Sequence, residues 1–185
     1  MPRRGNGTSN PSRSGSRRAT CTSLRGASIT DWAGSPQEGR DLKAAREWYL
    51  KSIAIDEKQG DLDGAAITYH QLGRIAQKQR DLATARHWYL KSLAIKEKQG
   101  NLRGAAGTYG QLGMLAGDQG TFEEAGKWLI RSITSFLQAN DQRGAQQGVR
   151  NILVFHQAAT TEDKRKLEAI WLEAGLGPFP TGADQ

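Results

Sequence analysis

The chain repeats itself. Asp41 to Arg80 aligns without a gap to Asp81 to Gly120, and 26 of the 40 positions are identical. A weaker third copy runs from Thr121 to Thr160. Trp48, Trp88 and Trp128 fall at the 40-residue period, as do Ser52, Ser92 and Ser132. A period of this size marks an array of supersecondary units, each burying its apolar face only by stacking on its neighbours.

Each unit reads as two helices. The five prolines are Pro2, Pro11, Pro36, Pro178 and Pro180, so none interrupts residues 37 to 177. Proline removes a backbone donor and clashes inside a helix, so this distribution suits an all-α core. One helix of each pair is predicted over residues 42–58, 82–98 and 122–139. Its apolar stripe in the second copy is Leu82, Ala85, Tyr89, Leu93 and Ile95. The other is predicted over 62–79, 102–119 and 142–158, with the stripe Ala65, Tyr69, Leu72, Gly73 and Ala76. Asp61, Asp81, Asn101 and either Asp141 or Asn140 are N-cap candidates, because short polar side chains accept from the free amides of a first turn. Gly60 and Gly100 suit the left-handed residue that ends a helix. Gly73 and Gly113 cost about 1 kcal/mol each against Ala inside a helix, so their recurrence implies a neighbour too close for a side chain. The recurring Trp and Ser series read as packing, the serine hydroxyl bonding back to its own helix.

The formal net charge of +7 is unevenly placed. Residues 1 to 30 hold Arg3, Arg4, Arg13, Arg17, Arg18 and Arg25 and no acid, which is +6. Residues 31 to 185 hold 20 basic and 19 acidic residues, a balance of +1. The basic stretch is rich in Ser, Gly and Thr, contains no aromatic residue, and is predicted to be disordered. It is a candidate anion-binding arm for nucleic acid or an acidic surface. An organelle transit peptide also fits its composition, and the expected location is otherwise cytoplasmic. No apolar run is long enough for a membrane span, so no membrane partner is expected.

Catalytic and metal chemistry find no foothold. His70, His87 and His156 lie on three different predicted helices at no metal-ligand spacing. Cys21 is the single cysteine and lies in the basic stretch without a base beside it. No phosphate-cradling glycine motif occurs. The chain is therefore expected to be no enzyme and to need no cofactor or metal.

The string Tyr69-x2-Leu72-Gly73-x2-Ala76, followed by Ala85-x3-Tyr89, resembles the tetratricopeptide repeat. Tyr109, Leu112, Gly113, Ala116, Ala125 and Leu129 match again in phase, and Ala45 and Tyr49 supply a leading half. The period of 40 exceeds the usual ~34, as in extended repeats of the kinesin light chain type. The strings around Trp48 and Tyr69 also resemble the tandem repeats of large bacterial signalling proteins. The proline that usually closes the second helix is missing, and Ala76 and Ala116 take a slot usually held by Tyr. The resemblance implies a right-handed α-α superhelix whose concave face is lined by the first helix of each pair. That face would comprise Ile67, His70, Gln71, Arg74, Gln77 and Lys78, then Gln111, Met114 and Asp118, then Gln147, Arg150, Asn151 and Gln157. It is amide-rich and mildly basic, suited to an extended peptide with an acidic group. The implied role is a protein–protein interaction scaffold.

The organisation expected is a disordered basic tail at 1–30, a linker or degenerate leading helix at 31–40 and a repeat array at 41–158. A capping helix at 159–177 and a flexible tail at 178–185 follow. The cap rests on a stripe of Leu167, Ile170, Trp171 and Ala174, with Glu162 to Lys166 in water. At the other end the helix near Leu42 lacks an obvious partner. The array reads as truncated, with Trp48, Tyr49 and Ile53 partly uncovered and available for self-association.

Overall fold

A computed structural model describes residues 38–180, with side chains from Asp41 onward. The chain divides into two units, Met1–Glu38 and Gly39–Gln185, and the described structure belongs almost wholly to the second. Cys21 and the arginines of residues 1–30 lie outside the described residues. Seven α-helices and no strand occur among the described residues: α1 Glu38–Gln59, α2 Leu62–Lys78, α3 Leu82–Lys98, α4 Leu102–Asp118, α5 Phe122–Gln138, α6 Gln142–Ala158 and α7 Thr161–Glu173. The unit is an all-α solenoid built from antiparallel helix pairs.

The 40-residue sequence period is two 20-residue structural steps. Residues 60, 80, 100, 120 and 140 all adopt positive φ, between 53° and 74°. At each step the next residue's amide reaches back five positions. The bonds run from Asp61 to the Asp56 carbonyl, Asp81 to Ala76, Asn101 to Lys96, Thr121 to Ala116 and Asp141 to Phe136, at 2.8–3.0 Å. This is the Schellman closure, which satisfies carbonyls orphaned at a helix end. The donor of that bond is itself the N-cap of the next helix. The Asp61, Asp81, Asn101 and Asp141 side chains each accept the amide three residues on, at 2.9–3.1 Å. Three residues therefore end one helix and start the next. Glycine fills the positive-φ position at 60, 100 and 120, but Arg80 and Asn140 fill it elsewhere. Asn140 is thus the turn residue and Asp141 the cap.

The helices pack by side chains set into glycine hollows. An added Cβ at Gly73 would stand 2.6 Å from the Tyr89 ring, and one at Gly113 would stand 2.8 Å from Leu129 Cγ. The close neighbour implied by these glycines is therefore a core side chain of the following helix, 16 residues on. The five residues of the α2 stripe are all buried as expected. The α3 stripe differs at both ends. Ala85, Tyr89, Ser92, Leu93 and Lys96 are buried, while Leu82 and Ile95 are only half-buried. Ser92 and Lys96 extend the inward rows of Ala85, Tyr89 and Leu93, so polar residues take places that Ile95 was expected to fill.

The serine series also differs from expectation. Ser92 Oγ donates to the Ala66 carbonyl at 2.7 Å and Ser132 Oγ to the Ala106 carbonyl at 2.8 Å. Both bonds cross to the neighbouring helix rather than return to their own. Close packing brings a foreign carbonyl within reach of the buried hydroxyl.

The last turn breaks the 20-residue rule. Ala159 is extended, with φ −75° and ψ 156°, and Thr160 caps α7. The extended step sends α7 against α5. Leu167 settles against Gly126, at the position held by Arg46 and Arg86 in the earlier copies. Leu167 and Trp171 are buried, and Ile170 and Ala174 pack at the edge of the same core. Trp171 Nε1 donates to the Pro178 carbonyl at 3.2 Å, and Phe179 lies against both Trp171 and His156. Residues 178 to 180, expected to be a tail, thus contribute to the packing of the cap.

Candidate functional site

The face expected to bind belongs to α2, α4 and α6. Its α2 and α4 members come together through one core side chain. Tyr89 of α3 is fully buried, and its hydroxyl reaches between the two helices. It donates to Gln77 Oε1 at 2.9 Å and lies 3.5 Å from Gln111 Oε1. Gln77 Nε2 in turn reaches Asp118 Oδ2 at 3.4 Å. Burial raises the Tyr89 pKa, so the hydroxyl remains a donor across the ordinary pH range. The amides of two successive repeats are thereby held in a fixed spacing by a rigid aromatic stem.

The remaining candidates fall in three places. Arg74 is exposed and bonds Gln71 on its own helix at 3.3 Å. The α6 members form a separate set, with Arg150 Nη2 donating to Gln147 at 2.7 Å and Gln147 Nε2 to Asn151 at 3.0 Å. Ile67 stands 60% exposed on α2, and Lys78 and Gln157 are exposed near helix ends. Met114 is half-buried against the C-terminal core, which leaves it little surface to offer a ligand.

His70 is half-buried rather than outward. Its ring packs on Tyr89 at 5.3 Å between centroids, and Nδ1 lies 3.3 Å from Thr108 Oγ1. Lys96 Nζ donates to the same hydroxyl at 2.9 Å. Burial holds the His70 pKa down at about 4, with Lys96 and then Arg74 adding to the effect. Burial likewise lowers Lys96 to about 8. The involvement of Lys96 and Thr108 escaped the sequence reading. The available signal was that Lys96 lies seven residues beyond Tyr89, on the buried stripe.

A second regular feature runs along the other helices. Trp88 stacks on Tyr69 at 5.5 Å and Trp128 on Tyr109 at 5.8 Å, with interplanar angles of 20° and 24°. Lys91 sits over the first pair and Arg131 over Trp128. The Tyr69 and Tyr109 hydroxyls donate to Glu57 and Glu97. Burial is the largest influence raising both phenols to about 12, with the carboxylates reinforcing it. Trp88 and Trp128 thus stack between neighbouring helices, whereas Trp48 is 54% exposed.

Metal and membrane chemistry have little to draw on here. Among the described residues no group of three or more His, Cys, Asp and Glu is placed to hold a metal ion. No described helix is long and apolar enough to cross a membrane. His156 pairs with Glu168 at 2.7 Å, joining α6 to α7, and His87 lies edge-on to Trp88 at 5.1 Å.

Comparison with known proteins agrees with this architecture. A family model described as Tetratricopeptide repeat matches residues 17–98, a range that begins upstream of the described helices and ends with α3. Among solved structures, BtubC (BKLC) from P. vanneervenii is similar, with a TM-score of 0.60 and 20% sequence identity. The similarity covers 80% of this chain and 62% of that one, so this chain spans under two thirds of its length. At that identity the likeness shows the fold. No curated protein matches the sequence.

Proposed function

From the premise that this chain carries tetratricopeptide repeats, we propose that it is a non-catalytic scaffold holding a peptide or protein partner on the α2–α4–α6 face. The observation that carries this reading is the Tyr89 hydroxyl between Gln77 and Gln111, next to Asp118. A scaffold must meet the main-chain donors and acceptors of an extended peptide at fixed intervals, and side-chain amides aligned by a buried ring do so at little entropic cost. Arg74 and Arg150 add two cations on that face, which favour an acidic group in the partner. The test begins with selection of binding peptides from a displayed library against the whole chain. Calorimetry then compares the selected peptide with Arg74→Glu/Arg150→Glu. A loss of about tenfold or more, with unchanged unfolding, supports the face; undiminished affinity removes it.

A second reading rests on charge alone. The six arginines of residues 1–30 make an arm for nucleic acid or another acidic surface. Six neutralised phosphates give a log–log salt slope steeper than roughly −4. DNA or RNA binding that survives deletion of residues 1–30 would exclude the arm.

Self-association through α1 is narrower than the sequence suggested. Ile53 is buried against Tyr69 and Leu72, so it offers no contact surface. Trp48 remains 54% exposed and is the residue on which such contact depends. A light-scattering mass of one chain at high micromolar concentration would dismiss it.

A further inference from the structure

Lys96 is a lysine in a place where lysine is costly. Its side chain is buried beneath α4, and the acceptor that it reaches is a neutral hydroxyl, Thr108 Oγ1 at 2.9 Å. Thr108 is itself fully buried and contacts three elements. It receives Lys96 from α3, meets His70 Nδ1 of α2 at 3.3 Å, and lies 3.1 Å from the Gly104 carbonyl of its own helix. Around the His70 ring stand Tyr89 and Lys96 of α3, Thr108 of α4, and Arg74 one turn on in α2. Tyr49 of α1 meets the same Arg74 field. The charges that bear on His70, from Lys96 and Arg74, are both positive.

The equivalent step in the preceding repeat has the opposite design. Asp56 occupies the place of Lys96, and Thr68 that of Thr108. There the threonine donates to Asp56 Oδ2 at 3.2 Å, and Ser52 donates to the same oxygen. The two sites are built alike but respond differently to acid. Only the Lys96 site holds an imidazole against a cation.

We propose that Lys96, Thr108 and His70 form an acid-sensitive tie between α2, α3 and α4, intact while His70 is neutral and loosened when it gains a proton. A protonated ring would set a third cation beside Lys96 and Arg74 in a half-buried space. The cost falls on the join between two repeats, directly beneath the Tyr89 hydroxyl. The tie stands independently of what the α2–α4–α6 face binds.

The sign follows from linkage. Burial first, then Lys96 and Arg74, hold the folded-state pKa of His70 at about 4, below its ordinary 6.5. The unfolded chain therefore binds more protons between those values. The stability that neutral His70 contributes is full above pH 6.5 and is lost as the pH falls towards 4. At pH 5 the His70 share alone raises the unfolding constant about 30-fold relative to pH 8.

The test measures urea unfolding of the whole chain from pH 8 to pH 5, beside His70→Gln, which keeps an acceptor but does not titrate. Wild type is expected to lose roughly 30-fold more than the variant over that range. Equal losses overturn the proposal. A direct reading uses the wild type alone, following each imidazole by nuclear magnetic resonance. His70 is expected to stay neutral at pH 5, with a midpoint near 4, and Lys96→Met is expected to raise that midpoint. A His70 midpoint at the ordinary 6.5, or one indifferent to Lys96→Met, also overturns it.

Discussion

Helices α1 and α3 share the string Trp-Tyr-Leu-Lys-Ser at the same register, yet they make different structures of it. In α3, Trp88 stacks on Tyr69, the Tyr89 hydroxyl meets Gln77, and Ser92 bonds the Ala66 carbonyl. In α1, Trp48 is 54% exposed, with Lys51 over its ring. The Tyr49 hydroxyl is buried without a hydrogen-bond partner among the described residues, and Ser52 turns to Asp56 on its own helix at 3.4 Å. Identical residues thus earn their stabilisation from the helix laid against them. In a solenoid the energy of a repeat resides at its interfaces as much as within it.

The comparison can be broken most directly at the tryptophans. Trp88→Ala is expected to cost about 3 kcal/mol, because it removes a stacked ring and opens a cavity. Trp48→Ala is expected to cost under about 1 kcal/mol, because most of that ring already meets water. Urea unfolding of the two variants decides it, and equal losses would mean that α1 is packed as tightly as α3. The serines sharpen the point on a smaller scale. Ser92→Ala removes a buried bond to a neighbouring helix and is expected to cost about 1 kcal/mol. Ser52→Ala removes only a long bond within α1 and is expected to be near neutral. The same unfolding experiment reads both, and a Ser52 effect as large as that of Ser92 would contradict the difference.

The smallest effect concerns the turns that join these helices. Gly60 follows α1 and Arg80 follows α2, both with positive φ and the same closure. A side chain in that conformation costs about 1 kcal/mol. Arg80→Gly is expected to raise stability by about 0.5–1 kcal/mol, since the relief of strain exceeds the added freedom of the unfolded chain. A lower thermal midpoint for Arg80→Gly would show that the arginine side chain contributes more than its backbone costs.

Much of this fold was legible before any coordinates. Proline-free repeats, Asp and Asn caps, and glycines at helix ends are local signals, and they located the helix boundaries closely. Gly73 and Gly113 even announced a close neighbour. Arg80 did not announce its positive φ, because nothing local distinguishes it from an ordinary helix-end arginine. The demand comes from the closure shared by all five turns. The binding face was legible as a set of outward positions but not as a geometry. Gln77, Gln111 and Asp118 share no local pattern, and a buried tyrosine on a third helix brings them together.

The sequence by itself determined the repeat, the helices, their turns and the order in which they stack. These follow from periodicity and capping, which act within a few residues. Only the tertiary structure decided where Ser92 donates, that Lys96 is buried against Thr108 and His70, and that α7 turns onto α5 into the space beside Gly126. Each depends on which distant backbone or side chain lies within about 3 to 4 Å. Hydrogen bonds and close packing are short-ranged, so chain folding must first bring those groups together.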